Sequence, residues 1–448
     1  MIRVQCEGKR VRNFEEMRNS VGDYYSRVRC PSGDNLTNPI ARDLVRVGEA
    51  TFLADRAFRR GTRLGELTRR LTVSVPVEEP KLWATLADQI ADLAGFVSHD
   101  RWRFKFTRLK EKYPRNIGIR TPLPDHSINL FSGGLDSLCG AAAAFKRGET
   151  PIFVSHSPPG YQRVSTRIEA LAQAFGKDSV KPLFFSFIFR VNERASDAGL
   201  FPERSRRTRP MLFLSMAGAA ALELAVPRVF LNENGVLAVN LPFQPNLTGP
   251  QISRHAHPET LRRFETLLRG LWPFDSTPIV QNPLFKHTKA EELRLLGNGL
   301  KLAAETISCE YAAQQVASLI GWLKRNNKPF TDVRECGLCV PCLVRRSAMH
   351  WIGVREKKHH YVFDARRALN NPKSYLGVPL FDYVVPQVRD LYNFCVRLTR
   401  MKPSEFVVSY LSELSLLPGR NEDVCLLSRS VYNTYARFAK QFVEYCKR

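Results

Sequence analysis

The chain has 448 residues, too many for one average domain, and its 44% hydrophobic and 25% charged content excludes a disordered or disulfide-stapled scaffold and supplies a sizeable core. A net charge of +24, recurring in arginine-rich stretches at 59–70, 101–120 and 204–209, favours acidic partners, but no recognition motif accompanies it, so nucleic acid is not the primary partner expected. Met1–Glu7 has no apolar h-region, and the most apolar stretch, 211–226, contains Glu223 and is shorter than a spanning helix; a cytoplasmic protein with no membrane segment is expected.

Residues 1–122 read as a small α+β unit. Leu71–Val77 alternates as a strand does, 81–97 has helical periodicity, and Trp102–Phe106 alternates again. A proline-rich, polar linker from Tyr113 to Pro124 marks a boundary. From His126 the pattern changes: apolar strands at 126–131, 151–155, 183–189 and 228–231 are interleaved with helical stretches at 137–147, 164–175 and 210–226. Such alternation implies an α/β fold with a mainly parallel sheet and helices on both faces. Residues 233–305 are irregular and proline-rich, then helical. A cysteine segment follows, and 351–448 reads as a helical region with apolar periodicity at 388–398, 404–416 and 431–445. The domains expected are therefore 1–122, 123–350 and 351–448.

The segment Ser132-Gly133-Gly134-Leu135-Asp136-Ser137 stands where a strand ends and a helix begins. Two adjacent glycines allow a sharp turn and close approach of the backbone to an anion. The free N–H groups of the following helix would face that anion. Ser132 and Ser137 can add hydroxyl donors to phosphate oxygens. Asp136 would repel phosphate directly and makes sense as a ligand of phosphate-bound Mg²⁺. The structural alternative is a tight turn capped by Asp136 or Ser137. The string lacks the Gly-Lys-Ser/Thr end of a Walker loop.

Cys336-Gly337-Leu338-Cys339-Val340-Pro341-Cys342 has C-x2-C-x2-C spacing, and Cys309 lies 27 positions upstream. Four thiolates suit a closed, structural tetrahedral Zn²⁺ site. An iron–sulfur cluster is the rival, since ferredoxins share the short spacing; zinc is favoured. The other six cysteines are scattered and read as reduced thiols.

The loop string resembles the PP-loop signature of the N-type ATP pyrophosphatases. With Thr306-Ile307-Ser308-Cys309, the run Cys336–Arg345 and the stretch Pro283–Glu291, it is similar to the QueC family, the 7-cyano-7-deazaguanine (preQ0) synthases, over about residues 126–350. The resemblance implies a Rossmann-like PP-loop domain that binds ATP through Ser132, Gly133, Gly134, Leu135, Asp136 and Ser137. The adenine would lie near Val154 and Ser155; His156 reads as an ordinary strand-end residue. Ser132, Asp136 and Ser137 would act in catalysis, with Mg²⁺, and Cys309, Cys336, Cys339 and Cys342 would hold Zn²⁺. ATP would adenylate a carboxylate, which an amine then attacks.

The chain departs from the family in five places. Asn232–Pro242 replaces the family's Gly-x-Asn to Tyr-Pro-Asp-Cys segment, Arg209-Pro210 replaces Arg-Asn, and Thr248–Pro258 and both flanking regions have no counterpart. These additions resemble the QueC-like proteins of bacterial anti-phage operons, those of the Qat system (QatC) and of type IV CBASS. What that resemblance implies is a deazaguanine precursor joined to a partner protein from the same operon. A free preQ0 synthase, a tRNA-modifying PP-loop enzyme and a catalytically idle nucleotide-binding scaffold are the alternatives.

Overall fold

The structure is a computed structural model that describes residues 1–16, 23–31, 35–61, 67–111, 113, 123, 125–156, 161–176, 183–191, 203, 205–244, 253–310, 315–330, 333–356, 360–419 and 421–447. The expected linker at 113–124 lies almost wholly outside these residues, as do positions 248–252 of the extra stretch 248–258.

The N-terminal elements are β1 (Ile2–Cys6), β2 (Arg12–Phe14), β3 (Tyr24–Arg29), α1 (Pro39–Ala57), β4 (Arg70–Val77), α2 (Pro80–Thr85), α3 (Ala87–Ser98) and β5 (Arg101–Arg108). Four of the strands form a sheet in the order β2-β1-β4-β5. β1 runs antiparallel to both its neighbours, and β4 is parallel to β5. Strict alternation decides its faces. Val4, Leu71, Val73, Val75, Trp102 and Phe104 point into the core, while Arg3, Gln5, Arg70, Arg101 and Arg103 point out. The helix expected over 81–97 is two helices, broken at Leu86.

The central elements are β6 (His126–Leu130), α4 (Leu135–Lys146), β7 (Thr150–His156), α5 (Tyr161–Ala174), β8 (Leu183–Val191), α6 (Arg209–Leu224), β9 (Arg228–Phe230), α7 (Gly235–Val239), α8 (Pro258–Leu271) and β10 (Ile279–Gln281). They build a second sheet, β10-β9-β6-β7-β8-β3. Its first five strands are parallel, as the strand–helix alternation implies, and β3 is an antiparallel edge. The fold is thus mixed α/β with parallel strands.

That edge strand comes from the first 122 residues. The seam between the two regions is tight. A Cβ on Gly48 of α1 would lie 2.6 Å from Ser215 Oγ of α6. The Glu223 carboxylate of α6 also accepts the Thr37 and Asn38 amides at 3.1 and 2.9 Å. One apolar core runs from Ile2 to Val280 across both sheets.

The sheet steps from β6 through β7 to β8 on one side, and the chain then returns to place β9 on the other side of β6. A crevice therefore opens outside the carboxyl ends of β6 and β9, the switch point where ligands sit in open α/β sheets.

The remaining helices are α9 (Lys289–Leu293), a 3₁₀ stretch (Arg294–Glu305), α10 (Gln315–Arg325), α11 (Val340–Trp351), α12 (Ala365–Asn370), α13 (Phe381–Arg400), α14 (Pro403–Ser409), α15 (Leu411–Leu414) and α16 (Asn421–Lys447). The C-terminal region is helical, as expected, although the helix read over 404–416 breaks at Tyr410. No helix among the described residues is long and apolar enough to cross a membrane.

Candidate functional site

The glycine loop bridges β6 and α4 at the switch point. Phe131 is tied to the neighbouring strand, its N–H donating to the Val154 carbonyl at 2.8 Å. Gly133 then takes φ +75°, which favours glycine, and Gly134 opens α4 with no side-chain cap. Neither Asp136 nor Ser137 caps the helix. Ser137 Oγ donates to the Gly134 carbonyl at 2.9 Å, and Gly134 N–H donates to Ser132 Oγ at 3.3 Å. An uncapped helix start leaves backbone N–H groups that can receive an anion.

Asp136 lies in the first turn of α4. Its carboxylate forms an ion pair with Lys289, the first residue of α9. It also accepts from Asn234 N at 3.3 Å and Asn234 Nδ2 at 3.0 Å. Lys289 is 2% exposed and Asp136 19%, so the carboxylate keeps an open side. Burial pushes Asp136 up, but the Lys289 charge and the hydrogen bonds outweigh it and hold the carboxyl well below its usual range. Burial likewise pulls Lys289 down, and the charges of Asp136, Glu233 and Glu292 raise it above the ordinary lysine value.

Glu233 reaches within 4.0 Å of Lys289 Nζ and accepts from Asn234 Nδ2 at 2.8 Å. Burial, then the Asp136 charge, raises it well above the carboxylate range. Glu292 is fully buried, and neither of its oxygens has a hydrogen-bond partner among the described residues. Burial and the Asp136 charge push it up as well. One lysine thus faces three carboxyl groups, and Asp136 is the one whose carboxyl is held low.

Asn232–Asn234 follow β9, so this segment is the second wall of the crevice. It is rigidly held. A Cβ on Gly235 would lie 2.0 Å from the Phe285 carbonyl oxygen, so glycine is required there. Asn282 Nδ2 donates to the Glu233 carbonyl at 2.7 Å. Tyr435 of α16 donates to the Val236 carbonyl at 2.7 Å and accepts from Leu241 N at 2.8 Å. Arg437 pairs with Glu291 at 2.7 Å. The C-terminal helix therefore braces both the segment after β9 and the Pro283–Glu291 stretch.

Ser132 is exposed and Ser137 buried; Val154 and Ser155 are both buried in the sheet, and His156 is half-buried at its end. His156 Nε2 lies 3.0 Å from the Phe189 carbonyl, a strand-end contact. Four residues that sequence reasoning did not place here are Asn234, Glu233, Lys289 and Arg167, whose guanidinium donates to the Gly133 carbonyl at 2.7 Å. Lys289 had a signal, since it belongs to the Thr-Lys-x-Glu stretch. Arg167 on α5 had none.

Cys309, Cys336, Cys339 and Cys342 converge, their sulfurs all within 4.8 Å of one another. Cys336 Sγ lies 3.9 Å from Cys342 Sγ, and Cys339 Sγ 3.9 Å from Cys309 Sγ. A tetrahedron of Zn–S bonds has edges of about 3.8 Å, so four buried sulfurs at this spacing can hold a metal ion such as zinc. Gly337, at φ +97°, makes the turn between Cys336 and Cys339, and its missing Cβ would lie 2.5 Å from the Phe363 carbonyl oxygen.

Around the cluster, Glu335 accepts the Ser308 and Cys309 amides, the latter at 2.9 Å. Its other oxygen faces His360 Nε2 at 3.2 Å and Arg345 Nε at 3.6 Å. Burial pushes Glu335 up, but His360, Arg345 and the amides hold it below its usual range. Arg345 extends to Thr306 Oγ1 at 2.6 Å and the Ala303 carbonyl at 2.9 Å.

The cysteine cluster and the glycine loop are neighbours. The Ile307 carbonyl lies 3.5 Å from where a Gly134 Cβ would be, and Cys309 is two residues further on. Compared with protein-family models and with curated proteins, the sequence has no match.

Proposed function

We propose that this chain is an ATP-dependent enzyme of the PP-loop type that adenylates a carboxylate and passes it to an amine. The observation that carries the reading is the uncapped glycine turn at the sheet's switch point, with the ion pair of Asp136 and buried Lys289 beside it. The turn and the free amides of α4 suit a polyphosphate, with Ser132 as a further donor. Asp136, through its open side, would hold Mg²⁺, which normally binds one or two carboxylates together with substrate phosphates. That ion would offset phosphate charge; Lys289 orients Asp136.

In the reaction a carboxylate oxygen of the substrate attacks the α-phosphorus of ATP, and the bond to pyrophosphate breaks. The amine nitrogen then attacks the acyl carbon, AMP leaves and the nitrogen loses a proton. The motif resemblance supports a 7-carboxy-7-deazaguanine-type acid as substrate. The regions outside 126–350 support an amine on a partner protein of an anti-phage operon as acceptor. The four cysteines would hold a structural Zn²⁺ that has no open position for chemistry.

The test is pyrophosphate release with ATP, Mg²⁺ and the deazaguanine acid, followed by intact-mass spectrometry of the co-expressed operon partner. A partner gaining one deazaguanine acyl unit supports the reading. An unmodified partner with accumulating free preQ0 moves the chain to the ordinary synthases. No pyrophosphate release at all leaves a nucleotide-binding scaffold.

A further inference from the structure

The outer face of the N-terminal sheet carries a separate feature that the proposed reaction does not use. Within its strands that face presents Arg3 on β1, Arg70 on β4, and Arg101, Arg103 and Lys105 on β5, all exposed. Register places them side by side. Arg70 is the partner of Arg101, Thr72 of Arg103, Ser74 of Lys105, and Arg3 of Ser74. Glu7, just beyond β1, is an acid beside this group, and it pairs with Arg70 at 3.3 Å. The other side chains on the face, Gln5, Asn13, Thr72, Ser74 and Thr107, are polar and uncharged, apart from Pro76.

We infer that this face binds the phosphate backbone of a nucleic acid without reading its sequence. Alternate residues of a strand are about 6.7 Å apart and neighbouring strands about 4.8 Å, so the cations form a two-dimensional array rather than a point site. Such an array matches a repeating line of phosphates, and the hydroxyl and amide groups between the cations suit phosphate oxygens. An interface with an acidic protein would have an apolar, aromatic centre. Here the aromatic residues of β5, Trp102, Phe104 and Phe106, all point to the opposite face. That absence of exposed rings also argues against base stacking, the usual grip on single strands, and favours a duplex.

The experiment is fluorescence anisotropy of the full chain with a labelled 20-base-pair duplex of arbitrary sequence, as DNA and as RNA, between 50 and 300 mM salt. The triple variant Arg101→Ser, Arg103→Ser, Lys105→Ser removes exposed side chains only, and its fold is checked by melting temperature. A control triple, Lys373→Ser, Arg400→Ser, Lys440→Ser, removes three exposed cations from the C-terminal region. The sheet variant is expected to bind at least tenfold more weakly at 100 mM salt, with a log–log salt slope shallower by about 2 to 3, while the control stays within twofold. The DNA and RNA arms distinguish which duplex is preferred. Equal losses in both variants, no binding by the wild type, or equal displacement by poly-glutamate at matched charge would each overturn the inference. The last would point to an acidic protein instead. Because no ATP is present, these outcomes are independent of the proposed reaction.

Discussion

Arg167 donates to the carbonyl of Gly133 at 2.7 Å, and its second terminal nitrogen donates to the Glu305 carbonyl at 2.6 Å. One guanidinium thereby ties the left-handed turn of the glycine loop to the start of the segment that ends in Cys309. Glu335 holds the far end of that segment through the Ser308 and Cys309 amides. The cysteine cluster and the loop are joined through the five residues Glu305–Cys309 and two charged clamps.

Arg167→Ala is therefore expected to loosen the loop without affecting the cysteines. Losing two charge-assisted hydrogen bonds should raise the KM for ATP about tenfold, or about 1.4 kcal/mol, with kcat changed less. Arg167→Lys should recover only part, since one ammonium cannot fork to two carbonyls. Steady-state pyrophosphate release measures this. Amide hydrogen exchange at 131–136 should also speed up without nucleotide, and an unchanged KM with unchanged exchange would refute the clamp.

The purified protein should carry about one Zn²⁺ per chain by elemental analysis. Cys339→Ser should lower the melting temperature and solubility, because a structural metal contributes folding free energy directly. Stoichiometric iron with visible absorbance in anaerobic preparations would replace zinc by an iron–sulfur cluster at the same sulfurs.

Asp136 and Lys289 should behave as a coupled pair. Asp136→Ala should abolish Mg²⁺-dependent turnover while the protein still folds. Lys289→Met leaves three carboxyl groups without their cation and should cost about 3 kcal/mol of stability. The double variant Asp136→Asn, Lys289→Met should recover part of that loss, a coupling that a denaturation double-mutant cycle reads. The carboxyl is held low and the ammonium high. The pair's contribution is thus present above the unfolded aspartate pKa and below the unfolded lysine pKa. It should stay flat from about pH 5 to pH 9 and fall away only outside that window.

Glu49 gives the opposite sign. It is buried on α1 and accepts a hydrogen bond from Ser26 of β3. Burial pushes its carboxyl up to about 8. A raised carboxyl binds its proton more tightly in the folded state, so its stabilising contribution is full below the unfolded value of about 4.3 and is lost as pH rises through 8. Urea unfolding should give a stability at least about 2 kcal/mol lower at pH 8.5 than at pH 5. Glu49→Gln should flatten that profile, and an equally steep profile in the variant would place the titration elsewhere.

Local chemistry was readable from the sequence alone. The Gly133-Gly134 turn after an apolar strand, the C-x2-C-x2-C spacing, the period-2 strands and the crossover helices each depend on residues within a few positions of one another. Periodicity and turn chemistry act at that range. Even the two helices misjudged as continuous, at Leu86 and Tyr410, were misjudged only at their breaks. Arg12–Phe14 and Ile279–Gln281 are too short to carry a period, Tyr24–Arg29 does not alternate strictly, and Ile2–Cys6 alternates but is not among the expected strands.

Tertiary structure decided what the distant residues do. Lys289 meets Asp136 across 153 positions, Asn234 meets it across 98, and Tyr435 reaches Val236 across 199. None of these pairings has a local cause. Each follows from the strand order that sets β9 beside β6, and from the C-terminal helix packing against the segment after β9 and the 283–291 stretch. In the same way, β3 leaves the sheet of its own chain neighbours and closes the edge of the other, because Tyr24 and Val28 pack against the core behind β8. The sequence names the groups that can do chemistry; which of them share a crevice depends on which strands become neighbours, and that is settled only when the whole core is buried at once.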